Sequence, residues 1–157
     1  MYSIALYFFH GDAAAAGDAT QQVFLKLITN ISSFRGNSEF STWLHRLVVN
    51  TCLDGLRKNK SRERSEEPLE LARIADPASQ DEDLARRQVA GRVQAALSSL
   101  PPKLRMPILL RYFEDLSYAE MAQALKCSAG TVASRLNTGH KLLAEKLAKL
   151  HEASFRR

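Results

Sequence analysis

An acidic segment in the middle of the chain separates two basic blocks, and this partition limits the folds that the sequence can adopt. Residues 66–83 carry 7 Asp/Glu against 1 Lys/Arg, together with two prolines and few large apolar side chains. By contrast, residues 1–65 have a net charge of +3 and residues 84–157 a net charge of +8. A segment like the acidic one buries too little apolar surface to order itself. The sequence therefore predicts two small domains, over 1–64 and 84–157, joined by a flexible acidic linker over 65–83.

Helical periodicity dominates the N-terminal block. The apolar run 2–9 is broken by Gly11 and Asp12, and Asp18 can cap the helix that follows. One face of that helix is apolar, with Val23, Phe24, Leu27, Ile28 and Ile31. A loop around Gly36 then leads to a third helix with an apolar inner face. That face contains Phe40, Trp43, Leu44, Leu47, Val48, Thr51, Cys52 and Leu56.

The C-terminal block has the same kind of pattern. Residues 84–100 predict one helix, and Pro102 suits the first turn of the next. Ser117 can cap a short helix, and a tight turn over 126–128 leads to a last helix from about Ala129. Because both blocks have helical spacing, we expect an all-α fold.

The helix pair joined at 126–128 follows the helix-turn-helix plan, in which the second helix enters the major groove by its N-terminal residues. Opposite the apolar Val132 and Leu136, that helix presents polar side chains of the types that contact phosphates and base edges. These side chains are Thr131, Ser134, Arg135 and Lys141. The pattern alone also fits a helical hairpin with a solvated face.

A second candidate nucleic-acid contact surrounds Gly36. The segment 33–46 mixes aromatic side chains, short polar side chains and arginines, and a basic helix end follows it. Unpaired bases stack on aromatic faces while cationic groups follow the backbone, at about 1–3 kcal/mol per stacked base. We expect Phe34 to contact such a base and Trp43 to be a core anchor.

Several functional classes find no support in the sequence. It contains no P-loop, no nucleophile–base pair and no metal-ligand cluster, since Cys52 and Cys127 fit inert core thiols and the four histidines are scattered. We therefore expect no catalytic residue, no cofactor and no metal site. The net charge of +5 favours a polyanionic partner. No apolar run approaches the roughly 20 residues that span a bilayer, and the N-terminus lacks the pattern of a signal peptide, so we expect a cytoplasmic protein without membrane contact of its own.

Motifs in both blocks occur in the order found in one known family. They lie at 18–24, 34–36, 40–44, 100–102, 116–122 and 130–136. On these motifs, which cover nearly the whole chain, the sequence resembles the extracytoplasmic-function (ECF) group of the sigma-70 family of RNA polymerase sigma factors. The resemblance implies an alternative sigma factor that binds core RNA polymerase and directs promoter-specific initiation. It also implies a sigma-2-like three-helix domain followed by a sigma-4-like helix-turn-helix domain.

The resemblance implies roles for individual residues. Docking on the clamp helices of the largest polymerase subunit is implied for Asp18, Gln21, Gln22 and Phe24. Capture of a flipped base of the melted minus-ten element is implied for Phe34, Arg35, Asn37 and Ser38. Contacts with the upstream edge of that element and with its phosphates are implied for Arg46, Asn50, Arg57 and Lys58. Reading of the minus-thirty-five element is implied for Thr131, Ser134, Arg135 and Lys141.

Further partners follow from the same resemblance. They are the beta flap of the polymerase, promoter DNA in duplex and single-stranded form, and an anti-sigma factor. The sequence departs from the family pattern at its start, which resembles the family's second helix, and at Gln22, where an acidic side chain is common. Ala133 stands where Lys or Arg is usual, and Gly139 inside a helix costs about 1 kcal/mol relative to Ala. We therefore expect a promoter sequence different from the family's commonest one.

Two other functions fit parts of the same pattern. One is a helix-turn-helix transcriptional regulator that binds duplex operator DNA as a dimer, but such a regulator does not need the segment 34–50. The other is a decoy that occupies the polymerase clamp without initiating transcription. Binding of core polymerase separates the first alternative from a sigma factor, and transcription from a promoter separates the second.

Overall fold

The computed structural model describes the backbone of residues 1–34, 36, 39–63 and 82–155, and the side chains of the same residues except 33, 59–63, 82–86 and 150–155. Within these ranges the regular structure is entirely helical, which confirms the predicted all-α fold. The α-helices are α1 (Tyr2–Phe8), α2 (Ala13–Asn30), α3 (Phe40–Glu63), α4 (Glu82–Ser98), α5 (Pro102–Phe113), α6 (Tyr118–Leu125) and α7 (Ala129–Phe155), and a 3-10 turn covers Ile31–Ser33. Most of the predicted linker lies outside the described residues.

α2 begins earlier than the sequence predicts. Its N-cap is Asp12, whose carboxylate accepts a hydrogen bond from the backbone N–H of Ala15 at 2.9 Å. The chain reverses just before this point, at His10 and Gly11, which have positive φ angles of 61° and 87°. The alanine run after Asp12 is a strong helix former and carries the helix through Asp18. The prediction that Asp18 caps this helix is therefore wrong.

The buried face of α2 is narrower than its apolar pattern suggests. It consists of Ala16, Ala19 and Val23, because α2 packs against α1 and α3 through small side chains. Larger apolar residues farther round the helix stay in solvent: Phe24 is 48% and Ile28 71% exposed, and Leu25 and Ile31 are exposed as well. Of the predicted apolar face, only Val23 is buried in the core, whereas Phe24, Ile28 and Ile31 are exposed.

The inner face of α3 follows the prediction except at Phe40 and at Trp43. Trp43 was expected to be a core anchor, but it packs with Phe34 and Phe40 and does not join the apolar core. Val48, Thr51 and Cys52 are buried, and Trp43, Leu44, Leu47 and Leu56 are half-buried. Burial raises the pKa of the Cys52 thiol to about 12, as expected for an inert core thiol. Phe40 is exposed at the start of the helix and does not join the core. Cys127, expected to be a core thiol, is only half-buried.

Helix boundaries in the C-terminal block follow local sequence signals. α5 begins at Pro102, as predicted, and continues through Pro107. Ser117 caps α6, also as predicted: its hydroxyl accepts from the Glu120 N–H while the Glu120 carboxylate accepts from the Ser117 N–H. Gly139, a glycine in the interior of α7, is buried against α5. A Cβ at this position would lie 2.8 Å from Cδ1 of Ile108.

The two blocks pack directly against each other. α1 contacts α5 and α4, and α3 contacts α6. Apolar residues of both blocks form one continuous core, in which Ile4 and Phe8 of α1 and Leu109 and Leu110 of α5 are completely buried. α1 is therefore covered by helices of both blocks.

Candidate nucleic-acid and polymerase interface

The turn between α6 and α7 fixes the direction of the candidate recognition helix. Lys126 adopts the left-handed conformation, with φ of 51°, and the Cys127 N–H donates to the Ala122 carbonyl at 3.0 Å. The Ser128 hydroxyl then accepts from the Thr131 N–H at 3.1 Å and contacts the Thr131 hydroxyl at 2.9 Å. Together these contacts end α6 and cap α7 within three residues.

The start of α7 borders a surface groove of about 570 Å³. Three of the predicted minus-thirty-five residues line it: Thr131, Ser134 and Arg135. On the other side of the helix, Val132 and Leu136 are 0% and 2% exposed, which holds the polar side toward solvent. Arg135 is anchored by a hydrogen bond from Nη1 to Sγ of Cys127 at 3.8 Å. Lys141, the fourth predicted residue, is exposed but does not line the groove.

The far wall of the groove contains residues that sequence reasoning missed. Lys103 lies there, at the start of α5, and its side chain is exposed. Ser128 and Thr138 also line the groove. The approach of α5 to α7 is a tertiary contact, so no local signal in the sequence places Lys103 beside the recognition helix. The groove thus combines the ammonium group of Lys103, the guanidinium group of Arg135 and several hydroxyl groups.

An aromatic cluster marks the second candidate contact. The ring of Phe34 lies 5.5 Å from that of Phe40 and 5.6 Å from that of Trp43, and the Phe40 and Trp43 rings are 5.7 Å apart. Phe34 and Trp43 are half-buried, whereas Phe40 is 42% exposed. Gly36 has a φ of 70°, a conformation that favours glycine in this loop. The predicted base-capture residues Arg35, Asn37 and Ser38 lie outside the described residues.

The polar residues that follow on α3 share one side of the helix. Positions 46, 50 and 57 are spaced by four and seven residues, which places Arg46, Asn50 and Arg57 in line. Asn50, Arg57 and Lys58 are exposed, and Arg46 is half-buried. Arg57 forms an ion pair with Asp54 at 3.1 Å. This line of cations and an amide runs away from the aromatic cluster.

The predicted polymerase-docking residues are all accessible. Asp18, Gln21, Gln22 and Phe24 are exposed on α2. The exposed Leu25 and Ile28 continue this surface with apolar area. An alternating polar and apolar helix surface of this kind suits a protein partner better than a nucleic acid.

Among the described residues, no helix is both long enough and apolar enough to cross a bilayer. In the same part of the chain, His, Cys, Asp and Glu residues form no group of three or more that could hold a metal ion.

Both blocks match known protein families. The family model for sigma-70 region 2 matches residues 1–62, and that for sigma-70 region 4 matches residues 90–143. The chain is 30% identical over 148 residues to the ECF RNA polymerase sigma factor SigW of Bacillus subtilis, a match that covers 89% of this chain and 79% of SigW. It is 34% identical over 144 residues to the ECF RNA polymerase sigma-E factor of Escherichia coli K12, covering 85% of this chain and 74% of that protein.

A solved structure has the same fold. It is the sigma factor RpoE of Bartonella quintana, in complex with the anti-sigma factor NepR. Superposition gives a TM-score of 0.76 and 23% sequence identity, and it covers 94% of this chain and 89% of the RpoE chain. The likeness therefore extends over both blocks.

Proposed function

This chain belongs to the ECF group of the sigma-70 family, and we propose that, as an alternative sigma factor, it holds promoter DNA with two separate surfaces, one for duplex and one for unpaired bases. The groove beside α7 is the observation that carries this proposal. Its Thr131, Ser134 and Arg135 stand opposite the buried side of the helix, on the part of a recognition helix that enters the major groove.

The groove surface is proposed to read the minus-thirty-five element. Arg135 and Ser134 supply base-edge contacts, whereas Lys103 and the hydroxyls of Ser128 and Thr131 supply contacts with phosphate. Lys141, farther along α7, adds a cation for the backbone. Phosphate contacts set the position of the protein on the duplex, and base contacts set the sequence that it prefers.

The aromatic cluster of Phe34, Phe40 and Trp43 is proposed to receive an unpaired base of the minus-ten element. Its partial exposure leaves ring faces for stacking, which contributes about 1–3 kcal/mol per base. This gain offsets unstacking, which costs a few kcal/mol per step. Arg35, Asn37 and Ser38 are proposed to hold the flipped base. The line of Arg46, Asn50 and Arg57 on α3 is proposed to follow the adjacent backbone, together with the neighbouring Lys58.

The remaining surfaces are proposed to bind proteins. The exposed face of α2 docks on the clamp helices of the polymerase through Asp18, Gln21, Gln22 and Phe24, and the beta flap of the polymerase is a second proposed protein contact. An anti-sigma factor is a further proposed partner, because the structural neighbour RpoE is in complex with one. In this proposal the polymerase performs all bond-forming chemistry, so the chain is not an enzyme, and it acts in the cytoplasm.

The test combines core binding with promoter opening. Purified bacterial core RNA polymerase is incubated with the chain, and the complexes are assayed on a fully duplex promoter and on one with an unpaired minus-ten region. We expect Arg135→Ala to weaken binding to both DNAs. Phe34→Ala should lose opening of the duplex promoter, and it should also lose affinity for the pre-opened one because the stacking partner is gone.

The matched controls are Lys149→Ala on α7 and Tyr112→Ala, an exposed aromatic outside all proposed surfaces. Both should behave as the unsubstituted chain. The proposal is contradicted if the chain binds duplex DNA but not core polymerase, as an operator-binding regulator would, or binds core without supporting initiation, as a decoy would.

A further inference from the structure

The close contact at Gly139 fixes how α7 is rotated on the C-terminal block. Gly139 is buried, and a Cβ added to it would lie 2.8 Å from Cδ1 of Ile108 and 3.5 Å from the carbonyl oxygen of Leu104. The backbone of α7 at this residue therefore lies directly against α5. Because an α-helix has about 3.6 residues per turn, a residue two positions away lies about 200° around the helix axis. The residues two positions before and after Gly139 therefore point away from α5.

Those two residues are Asn137 and Lys141, and both are exposed. Ser134, nearly one turn before Asn137, is exposed as well. Residues at i, i+3 and i+7 share one side of a helix, so these three residues form a row, the outer row of α7. Val132 and Leu136 are buried and hold the other side of the helix against the block. The outer row is therefore the part of α7 that a duplex can approach.

The guanidinium of Arg135 lies beside the outer row and not in it. Its Nη1 lies 3.8 Å from Sγ of Cys127 in the turn before α7, and the side chain is half-buried. Arg135 lines the same groove as Lys103, whereas Asn137 does not line it. Around the helix axis, Arg135 lies about 100° from Ser134 in one direction and Asn137 about 60° from it in the other. The groove cations thus flank Ser134 on one side, and a neutral amide flanks it on the other.

Asn137 is the only carboxamide side chain in the sequence of α7. Its NH2 group donates hydrogen bonds and its carbonyl oxygen accepts them. In the major groove, the edge of adenine presents the complementary pair, an acceptor at N7 and a donor at the N6 amino group. Guanine presents two acceptors, cytosine one donor and thymine one acceptor. Two hydrogen bonds from one asparagine to one base therefore favour adenine over the other three.

The spacing of the outer row matches the spacing of base pairs. Ser134 and Asn137 are three residues apart, about 4.5 Å along the helix axis. Successive base pairs of a duplex are about 3.4 Å apart. A helix lying in the major groove would thus bring these two side chains to neighbouring base pairs.

We propose that Asn137 is a specificity-determining residue for the minus-thirty-five element, where its amide forms two hydrogen bonds with an adenine next to the base pair that Ser134 contacts. This role rests on the proposed function, because it requires α7 to lie in the major groove. It adds one residue to the recognition surface and names the base that this residue selects. Because the amide is neutral and contacts a base edge, it sets sequence preference without adding to salt-dependent binding.

The test determines the base preference of the full chain in complex with core RNA polymerase. Duplex promoters with a randomised upstream motif are incubated with the complex, and bound and unbound DNAs are sequenced. For the unsubstituted chain we expect one position of the motif to prefer adenine by roughly tenfold. Asn137→Ala should abolish the preference at this position and keep the preferences at the others. Gln88→Ala, which removes an exposed amide from α4, is the matched control and should leave the whole profile unchanged.

Two further changes separate a base contact from a structural effect. Asn137→Asp keeps the shape of the side chain but only accepts hydrogen bonds, so the preference should change from adenine to cytosine, which presents a donor at N4. Replacing the selected adenine by 7-deazaadenine removes the N7 acceptor. This should weaken binding of the unsubstituted chain by roughly fivefold and leave binding of Asn137→Ala unchanged. The slope of log K against log salt should be the same for Asn137→Ala and the unsubstituted chain.

Asn137→Ala should keep its helical circular dichroism, because alanine has a higher helix propensity than asparagine. The role of Asn137 is overturned if Asn137→Ala keeps the adenine preference, if the lost preference is for another base, or if binding weakens equally on all sequences. Failure of the proposed function gives a different result. In that case the unsubstituted chain confers on core polymerase no sequence preference at any position of the upstream motif.

Discussion

Lys103 and Arg105 lie two positions apart on α5, and the fold gives them opposite environments. Lys103 is exposed in the groove beside the recognition helix, whereas Arg105 is 2% exposed and uses every donor inside the protein. Residues two apart on a helix point to different sides, which explains the contrast. The net charge of the C-terminal block therefore does not tell which cations reach DNA, and each has to be assigned from its contacts.

Lys103→Ala tests the proposed phosphate contact. We expect binding of the chain with core polymerase to duplex promoters to weaken by a similar factor on all sequences, because phosphate contacts carry no sequence information. The slope of log K against log salt should fall in magnitude by about one unit. Lys149→Ala should leave the slope unchanged. An unchanged slope for Lys103→Ala would mean that this side chain contacts no phosphate.

The two thiols should react very differently. With a pKa of about 12, only about one in ten thousand Cys52 thiols is ionised at pH 8, and the thiolate is the nucleophile. We expect a water-soluble disulfide reagent to modify Cys127 first in the native chain, and Cys52 only when the chain unfolds. Equal rates for both thiols would contradict the burial of Cys52.

At the scale of elements, local signals define helix ends and tertiary contacts define helix faces. Ser117 and Pro102 were predictable because capping and proline geometry act within a few residues. The exposure of Phe24 and Ile28 was not predictable, because it follows from the packing of α2 against α1 and α3 through its small residues. Three of the α7 residues selected from the sequence, Thr131, Ser134 and Arg135, do line the groove, but the sequence could not supply Lys103, which comes from another helix.

Gly139 has a packing role that its helix propensity conceals. Gly139→Ala should stabilise the fold by about 1 kcal/mol through higher helix propensity. The added Cβ would, however, lie 2.8 Å from Cδ1 of the buried Ile108, and overpacking of this kind typically destabilises a fold by about 1–3 kcal/mol. In α4, Gly91 has nothing within 4 Å of an added Cβ, so Gly91→Ala should gain the propensity alone. We expect urea unfolding to show Gly139→Ala less stable than Gly91→Ala by at least about 1 kcal/mol, with Ile108→Val reducing the gap. Equal stabilities would contradict the close approach of α5 and α7.

The contribution of the α6 capping box to the stability of the fold should depend on pH. Hydrogen bonds from Ser117 hold the pKa of the Glu120 carboxyl below its ordinary value of 4.5. A carboxyl group whose pKa is lower in the folded chain than in the unfolded chain stabilises the fold at pH values above its unfolded-state pKa. This stabilisation is lost as the pH falls through the folded-state pKa. Ser117→Ala should therefore lower Tm at neutral pH, and the difference from the unsubstituted chain should shrink as the pH falls below 4.5. A difference in Tm independent of pH would argue against the carboxylate's part in the cap.

At the scale of the whole molecule, two blocks with separate proposed DNA surfaces share one apolar core. The charge partition of the sequence predicted the blocks, and the resemblance of its motifs to sigma factors predicted their order, both from residues close in sequence. Contacts between the blocks, such as Arg105 with Phe8, join residues 97 positions apart and have no sequence signature. The surfaces assigned to DNA thus lie on blocks whose mutual packing only the structure reveals.

The central claim is that one chain directs core polymerase by reading duplex and trapping unpaired bases with different blocks. The most direct measurement maps, by permanganate reactivity of unpaired thymines, the genomic DNA opened by core polymerase with the chain. We expect opened sites that share one sequence motif in the opened region and a second motif upstream of it. Opening should be lost for Phe34→Ala while the upstream motif stays occupied, and occupancy itself should be lost for Arg135→Ala. A pattern of opening identical to that of core polymerase alone would contradict the account.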